Sequence, residues 1–398
     1  MTVLALSLYR PVWELGGARV TGPDEDVLTM AVAAARPLIA VGPAVRKVVL
    51  VTPRPDIVEG FGGGVLARAL DLGPDAVVQL RIGGAPAVLD ALLENEPGTV
   101  VAGVDLSSTA ASAGAALLGD GSGLDLVAAG RISGSLPMRV GQAGHATTAV
   151  YRDARVEREL AAAPLVAALR DGAAPLLAGI AAGGARRLGA RPSAVPTPGA
   201  ASVCYALAEL ASAGEDARLV AVDGGSGSAA DVRGAARARV LREERPAIGG
   251  EQRPRPGGDH VEVPFSMPAY ARAFEAKVGL VAAACACGEI SYPPRDMCLR
   301  CDRYRETTPV ALPRTGEVYT CVTVHVPIPG IPGPYALAIV SLDGSPVRVL
   351  AQVADTPATA TRIGDRGRLV LRRVALREGV PDYGYAFQGD TTAEAVRA

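Results

Sequence analysis

Short runs of β-branched and aliphatic residues alternate with alanine- and leucine-rich runs along the first half of the chain. Apolar runs bounded by Gly or Pro predict buried strands at 48–51, 76–80 and 99–104. The runs between them predict helices at 65–70 and 87–93. Strands that alternate with helices in this way predict a layered α/β fold with a buried sheet.

The pattern changes twice in the second half. Residues 241–262 are charged and rich in Pro and Gly, which predicts a linker or exposed loop. An apolar residue at every fourth position then predicts a helix over 268–280. From residue 313 onward, β-branched and aromatic runs separated by turn residues predict four or five short strands. Strands of this number and length are typical of a small closed barrel of the OB type.

Composition narrows the function classes. The chain has 398 residues, 49% hydrophobic and 20% charged, which indicates a globular protein. A net charge of −1 and an aromatic content of 4% argue against a nucleic-acid partner or an anionic membrane surface. No apolar run approaches the roughly 18 residues of a membrane span. The segment Met1–Leu6 lacks the basic residues that open a signal peptide, so we expect a cytoplasmic protein.

Four of the six cysteines lie close together, at Cys285, Cys287, Cys298 and Cys301. In a cytoplasmic chain, clustered cysteines predict a metal site rather than disulfides. The second pair has the C-x2-C spacing of a zinc knuckle, whereas the first pair is C-x-C. We therefore expect a structural zinc ribbon with these four ligands. The alternative is a ribbon-shaped turn that has lost its metal.

These patterns divide the chain into five segments. The predicted segments are an α/β domain (1–240), a linker (241–262), a helix with a zinc ribbon (263–310), an OB-fold barrel (311–388) and a tail (389–398).

The C-terminal part, about residues 265–388, resembles the DUF35 family. The residues that carry the resemblance are Cys287-Gly288, Tyr292-Pro293-Pro294-Arg295, Cys298-Leu299-Arg300-Cys301, Gly316–Thr320, Val324–Pro327, Pro334-Tyr335 and Ile363-Gly364. The resemblance implies a zinc ribbon joined to an OB-fold barrel. It also implies an accessory subunit of thiolases, HMG-CoA synthases or thiolase-like aldolases that helps them accept acyl-CoA.

The N-terminal part, about residues 1–240, resembles the thiolase superfamily, nearest to HMG-CoA synthase and ketoacyl synthase III. The motifs that carry the resemblance are Asp24–Val32, Gly121–Val127, Pro198–Ser202 and Asp223–Gly227. The resemblance implies a thiolase-like layered fold. This part is shorter than the family usually needs, so we expect a truncated form without peripheral loops or caps.

The resemblance also implies catalytic residues, and this sequence departs from them. The position of the cysteine nucleophile is Arg81, or Ile82 if the alignment shifts by one residue. Arginine is not a nucleophile because it stays protonated in proteins. No histidine is present at the catalytic position expected within 165–195, and Thr197 or Pro198 replaces the late asparagine. We therefore expect no catalytic residues; Arg81 either binds a carboxylate or phosphate or forms an internal ion pair.

The remaining nucleophilic or basic side chains have simpler interpretations. Cys204 follows a glycine turn and is expected to be a small buried apolar residue. Cys321 and His325 are expected to pack within barrel strands. His145 lies in a predicted loop, and His260 lies in the predicted linker.

Three functions follow. The preferred one is a non-catalytic accessory or scaffold subunit that pairs with a thiolase-superfamily protein in a hetero-oligomer, with zinc in the ribbon and acyl-CoA as ligand or substrate of the complex. The alternative is an acyl-CoA-dependent acyltransferase or retro-aldolase without a cysteine, whose base would be Asp56, Glu59 or His145. The third, a single-stranded nucleic-acid binder, is disfavoured by the near-zero charge.

Overall fold

We analysed a computed structural model of the chain. The structure describes residues 1–55, 62–107, 110–134, 139–141, 148–150, 162–194, 196–243, 245–249, 264–304, 306–326, 334–378 and 380–390. The candidate bases Asp56, Glu59 and His145, the linker residue His260 and most of the predicted linker lie outside these residues.

Most of the regular secondary structure in the described chain is strand. In the first half they are β1 (Thr2–Tyr9), β2 (Trp13–Leu15), β3 (Ala18–Val20), β4 (Lys47–Thr52), β5 (Val77–Ile82), β6 (Thr99–Leu106), β7 (Ala111–Leu118), β8 (Leu124–Ile132), β9 (Arg139–Gly141), β10 (Thr148–Val150), β11 (Leu176–Ala178), β12 (Arg191–Pro192), β13 (Ala217–Asp223), β14 (Ser226–Arg233) and β15 (Arg239–Glu243). In the second half they are β16 (Ile248–Gly249), β17 (Val281–Cys285), β18 (Ile290–Ser291), β19 (Met297–Cys298), β20 (Arg303–Tyr304), β21 (Thr307–Ala311), β22 (Thr315–Val324), β23 (Tyr335–Leu342), β24 (Arg348–Gln352), β25 (Arg366–Arg377) and β26 (Val380–Gly389).

The helices are fewer, and most of them belong to the first half. They are α1 (Val27–Val41), α2 (Gly63–Ala69), α3 (Ala85–Glu94), α4 (Ala163–Leu169), α5 (Ala182–Arg187), α6 (Ser202–Ala213) and α7 (Met267–Lys277). Among the described helices, none is both long and apolar enough to cross a membrane.

The chain divides into two compact units. Unit 1 comprises 1–10, 33–63 and 72–244. Unit 2 comprises 11–32, 64–71 and 245–398. Unit 2 therefore includes two short segments from the region that the sequence assigns to the α/β domain.

Unit 1 is built on one large sheet. Eleven of the described strands form it, in the order β12-β11-β13-β14-β8-β1-β7-β6-β4-β5, with β15 paired to β1. Both faces of the sheet are covered: Leu219 and Ala221 of β13 belong to one buried cluster with α3 and α6, whereas Val220 and Val222 belong to another with α4 and α5. Side chains alternate between the faces of a strand, so helices pack on both sides. The predicted layered α/β fold is confirmed.

The predicted elements of the first half are also confirmed, as β4, α2, β5, α3 and β6. One of them differs in its surroundings. Strand β5 is the last strand of the sheet, and its side chains are only partly buried or exposed along its whole length. An apolar run predicts a strand, but it does not tell whether a second neighbour covers it.

Unit 2 contains the barrel. Five described strands form a sheet in the order β24-β23-β22-β25-β26. A bridge between Val353 and Phe387, with the Ala354 N–H donating to the Phe387 carbonyl at 2.8 Å, joins its two ends. Closure removes the exposed edges that an open sheet would have. The predicted closed barrel is confirmed, and α7 confirms the helix predicted before the cysteines.

Candidate functional site

The cysteine cluster is formed by two tight turns of unit 2. Strand β17 ends at Cys285, whose carbonyl accepts the Gly288 N–H at 2.9 Å. Gly288 has φ +88°, a left-handed conformation that favours glycine. Strand β19 ends at Cys298, whose carbonyl accepts the Asp302 N–H at 2.9 Å. Each turn thus presents one pair of thiols, and the two pairs face each other.

The structure brings all four predicted ligands together, including the irregular C-x-C pair. The sulfur atoms of Cys285, Cys287, Cys298 and Cys301 all lie within 4.8 Å of one another. The Sγ atoms of Cys287 and Cys298 are 3.6 Å apart. Metal–sulfur bonds of about 2.3 Å in a tetrahedron place sulfurs about 3.8 Å apart. The cluster could therefore hold a tetrahedral metal ion, and four protein ligands leave no open position for catalysis.

Hydrogen bonds within the cluster shift the pKa values of two of the thiols in opposite directions. The Glu289 backbone N–H and the neighbouring thiols lower the pKa of Cys287 to about 7. Donation to Cys287, with some desolvation and the other thiols, raises the pKa of Cys301 to about 12. A thiolate is the form that ligates metal. Cys287 therefore supplies a ligand near neutral pH, whereas Cys301 must release a proton as a metal binds.

Arg81, at the predicted nucleophile position, lies in an ion-pair cluster of unit 1. Its Nη1 atom is 2.9 Å from Glu94 Oε2, and its Nη2 atom is 3.7 Å from Asp90 Oδ2. Arg131 completes the cluster, with Nη2 2.9 Å from Asp90 Oδ2 and Nη1 2.8 Å from Glu94 Oε1. We call these four residues the arginine–carboxylate cluster. Of the two interpretations of Arg81, this geometry favours the internal ion pair.

The titration of Glu94 shows how complete this pairing is. Partial burial by itself would raise the pKa of Glu94, but the hydrogen bond from Arg81 and the charges of Arg81 and Arg131 outweigh it. The pKa of Glu94 is therefore lowered, and the carboxylate stays ionised beside the two guanidinium groups. Two cations and two anions neutralise each other, so the cluster offers little field to a charged substrate.

The arginine–carboxylate cluster borders a cleft of about 270 Å³ at the start of helix α3. Among the described residues, the cleft is lined by Arg81, Ile82, Gly83, Gly84, Pro86, Ala87, Asp90, Arg131, Ile132, Ser133, Asp223, Ser226 and Gly227. This described lining contains neither cysteine nor histidine. The Asp223 carboxylate presses against Gly84, where a Cβ atom would lie 2.2 Å from Asp223 Oδ2. The polar side chains of this described lining are acids, arginines and serines.

Asp105, which the sequence analysis did not single out, organises the late glycine motif. Its carboxylate accepts the Ala200 N–H at 2.7 Å, the Ala201 N–H at 2.9 Å and the Thr197 hydroxyl at 2.9 Å. A Cβ atom on Gly199 would lie 2.1 Å from Asp105 Oδ1, which explains the glycine. Burial raises the pKa of Asp105 to about 6 despite these bonds. The available signal was an acid near the end of the otherwise apolar strand β6.

Three other predicted residues are placed by the structure. Cys204 is fully buried against β7, and burial raises its pKa to about 12, as suits a small apolar residue. Cys321 lies on β22, where its thiol donates to the Thr361 carbonyl at 3.5 Å. His325 corrects the prediction of strand packing, because it follows the last residue of β22 and its side chain is exposed. A β-rich run shows where a strand forms but not which residue ends it.

Known proteins support the resemblance that the sequence analysis gives for the second half of the chain. Residues 309–372 match the family model of the C-terminal OB-fold domain of ChsH2. A DUF35 domain-containing scaffold protein of Methanocaldococcus jannaschii is 33% identical over 106 residues, which are 26% of this chain and 74% of that protein. The chain belongs to the DUF35 family. The predicted OB fold and its place at the C-terminal end are thereby confirmed.

Solved structures are also similar to this DUF35 protein over part of its length. The 3-oxoacyl-(acyl carrier protein) synthase III of Pseudomonas aeruginosa is 18% identical, with a TM-score of 0.46, over 62% of this chain and 99% of that chain. An HMG synthase from the curacin biosynthetic pathway is 15% identical, with a TM-score of 0.45, over 59% and 81%. The Ltp2-ChsH2(DUF35) aldolase is 23% identical, with a TM-score of 0.26, over 30% and 90%. These are the protein classes that the sequence motifs resemble.

Proposed function

We propose that this DUF35 protein is a non-catalytic accessory subunit that pairs with a thiolase-superfamily enzyme acting on acyl-CoA. The observation that carries the proposal is the arginine–carboxylate cluster, which contains Arg81, the residue that the sequence resemblance puts at the position of the nucleophile. Acyl transfer through the enzyme needs a nucleophile and a base that activates it. Arg81 can serve as neither, and its ion pairs with Asp90 and Glu94 engage its guanidinium.

The partner surface is the free edge of strand β5. Within the described sheet β5 has a hydrogen-bonded neighbour on one side only, namely β4. Its first and last residues, Val77 and Ile82, are 56% and 69% exposed. An apolar edge strand with unpaired backbone groups is a template for another chain, and monomeric proteins usually cover or charge such edges. We infer that the partner enzyme adds a strand here.

The DUF35 module has the assembly role in this proposal. A relative in the family is named a scaffold protein, and the aldolase named above combines a DUF35 protein with Ltp2. We propose that the four-cysteine cluster binds zinc, which holds the ribbon together, and that the barrel assists acyl-CoA binding by the complex. A cytoplasmic location belongs to the same proposal, because free thiols in such a cluster suit a reducing compartment.

Co-purification from the native host tests the pairing. Intact protein is expected to retain a thiolase-like protein, and the double variant Val77→Lys/Ile82→Lys is expected to lose at least nine-tenths of it. Two lysines on the β5 edge would place charges against the added strand, which disfavours strand pairing. Val127→Lys is the matched control, because Val127 is 43% exposed but lies on β8, which has neighbours on both sides. Equal retention of the partner by both variants would refute the β5 interface.

Turnover assays test the absence of catalysis. The purified chain alone is expected to show no acyl transfer and no carbon–carbon bond cleavage with acyl-CoA substrates, whereas the complex is active. Ordinary turnover by the chain alone, abolished by Asp56→Ala, Glu59→Ala or His145→Ala, would replace the proposal with the enzyme that lacks a cysteine nucleophile.

A further inference from the structure

An acidic turn from the first part of the chain is held by the barrel within unit 2. The turn is Gly22–Asp26, and it immediately precedes helix α1. Asp26 caps that helix: its Oδ1 accepts the Thr29 N–H at 2.9 Å, and its own N–H donates to Thr29 Oγ1 at 2.8 Å. The turn is internally braced as well, because Glu25 Oε2 accepts the Gly22 N–H at 2.7 Å. We call Gly22–Asp26 the acidic turn.

Arg372 of β25 is the centre of the contact. Its side chain is 2% exposed and faces three carboxylates. Its Nη2 atom is 2.5 Å from Asp355 Oδ2 and 3.8 Å from Glu25 Oε1, and its Nε atom is 3.4 Å from Asp24 Oδ2. Asp355 belongs to the barrel side, whereas Asp24 and Glu25 come from the acidic turn. A buried guanidinium is tolerated only with anionic partners, so this position selects for acidic residues.

A second set of donors recognises the backbone and the cap of the turn. The Arg373 N–H donates to the Asp24 carbonyl at 2.9 Å, and Arg373 Nη2 donates to the Pro23 carbonyl at 3.2 Å. The pairing of β25 with β26 shifts register immediately after Arg373. The Tyr383 hydroxyl on β26 donates to Asp26 Oδ2 at 2.8 Å, and Arg373 Nη1 is 3.9 Å from the same oxygen. The bonds to two main-chain carbonyls make this contact specific for the shape of the turn, in addition to its charge.

The contact joins parts of the chain that need not belong to one polypeptide. The scaffold relative of Methanocaldococcus jannaschii has 74% of its length within the match to this chain, and that match is 106 residues long. The remaining quarter is too short to contain a counterpart of the first 240 residues. A barrel on such a short chain could meet the acidic turn of a synthase-like domain only on a separate subunit.

We propose that the barrel face formed by Arg372, Arg373 and Tyr383 is a docking site for an acidic turn that opens a helix. In this chain the site is filled in cis by Gly22–Asp26, and the partner it fits in trans is a synthase-like subunit with an acidic turn before its first helix. The identity of that trans partner rests on the proposed function. The recognition itself rests only on contacts within unit 2.

A peptide-binding experiment with the full-length chain tests the recognition. The variant Glu25→Lys/Asp26→Lys places two cations beside Arg372 and Arg373, which should displace the turn and free the site. A fluorescent peptide of residues 18–36 is expected to bind this variant at least tenfold more tightly than it binds the intact chain. A control peptide with Asp24→Asn, Glu25→Gln and Asp26→Asn should bind at least tenfold more weakly. Adding Arg373→Met to the variant should weaken binding of both peptides, because Arg373 Nη2 donates to the Pro23 carbonyl that both peptides contain.

A folded variant that binds neither peptide, or both equally, overturns the proposal; zinc content and the thermal unfolding profile establish that it is folded. If the variant does not fold, hydrogen exchange of the intact chain decides the matter. Tyr383→Phe and Arg373→Met are expected to speed amide exchange in residues 22–30 at least tenfold, whereas the exposed Arg348→Met does not. Unchanged exchange in both would equally overturn it. Loss of partner retention in the β5 variants leaves these results untouched, so the two proposals fail separately.

Discussion

Replacement of Cys285 by serine tests whether the C-x-C pair supplies a full metal ligand. The Cys285 side chain is buried, and its sulfur lies within 4.8 Å of the other three. Structural zinc contributes about 10–16 kcal/mol of apparent binding energy in small zinc domains. Divided over four thiolates this is about 2.5–4 kcal/mol for each, so Cys285→Ser should weaken zinc binding on the order of 10²–10³-fold.

The assay is competition for zinc with a chromophoric chelator, and the matched control is Cys321→Ser. Cys321 lies in the barrel outside the four-cysteine cluster, so its replacement should leave zinc affinity within a factor of two or three of the intact protein. One zinc per chain is expected for the intact protein and for the control. Cobalt substitution gives an independent measure, because the thiolate-to-metal absorption falls with each lost sulfur. Unchanged zinc affinity and an unchanged cobalt spectrum in Cys285→Ser would refute the four-thiolate site.

Three further substitutions test the energetics of the two units. Arg372→Met should destabilise unit 2 by about 3–5 kcal/mol in urea unfolding, with part recovered by adding Asp355→Asn, because the lone arginine substitution leaves a buried carboxylate unpaired. The pKa of Asp105 is about 6, against an ordinary value of 3.8. Between these two pH values Asp105 is protonated in the folded state and ionised in the unfolded state. The free energy of unfolding therefore falls as the pH rises through this range. Asp105→Asn should therefore flatten the pH profile of unfolding by about 2 kcal/mol between pH 4 and 6, and an unchanged slope would refute the burial argument. Gly199→Ala should cost about 1–3 kcal/mol through its clash with Asp105, whereas Gly183→Ala, with open space around its Cβ position, should not destabilise; equal thermal midpoints would contradict the close approach.

Much of the architecture could be predicted because it is written in local patterns. Strand β4 and helix α3 can each be recognised from a single short run of residues. The cysteine cluster could be predicted for a similar reason, since its ligands span only Cys285 to Cys301. The close spacing of the four cysteines in the sequence is enough to predict even the irregular first pair as ligands. Whether Cys285 reaches the others depended on the turn at Gly288, which spacing does not reveal.

The missed residues act across long separations. Asp105 caps a segment more than 90 positions away, and Arg373 binds a carbonyl 350 positions away. A single acidic residue or arginine is not part of a repeating pattern, so the neighbouring sequence does not indicate which distant residue it will contact. The resemblance assigns Asp24–Val32 to the first synthase helix, and helix α1 (Val27–Val41) begins within this segment. The resemblance does not reveal that the turn before the helix contacts the barrel. The exposure of β5 was missed for the same reason, because burial depends on neighbours that lie elsewhere in the chain.

The end of strand β5 lines the cleft, so a partner bound at the β5 edge would lie beside the cleft. Arg81 and Ile82 are the last two residues of β5, and both line the cleft. A subunit that adds a strand along β5 must therefore reach the mouth of the cleft. The arginine–carboxylate cluster is neutral as a whole, and its two arginines are not nucleophiles. In the proposed complex, its residues would contribute to acyl chemistry by shaping and covering the site of the neighbour that pairs with them.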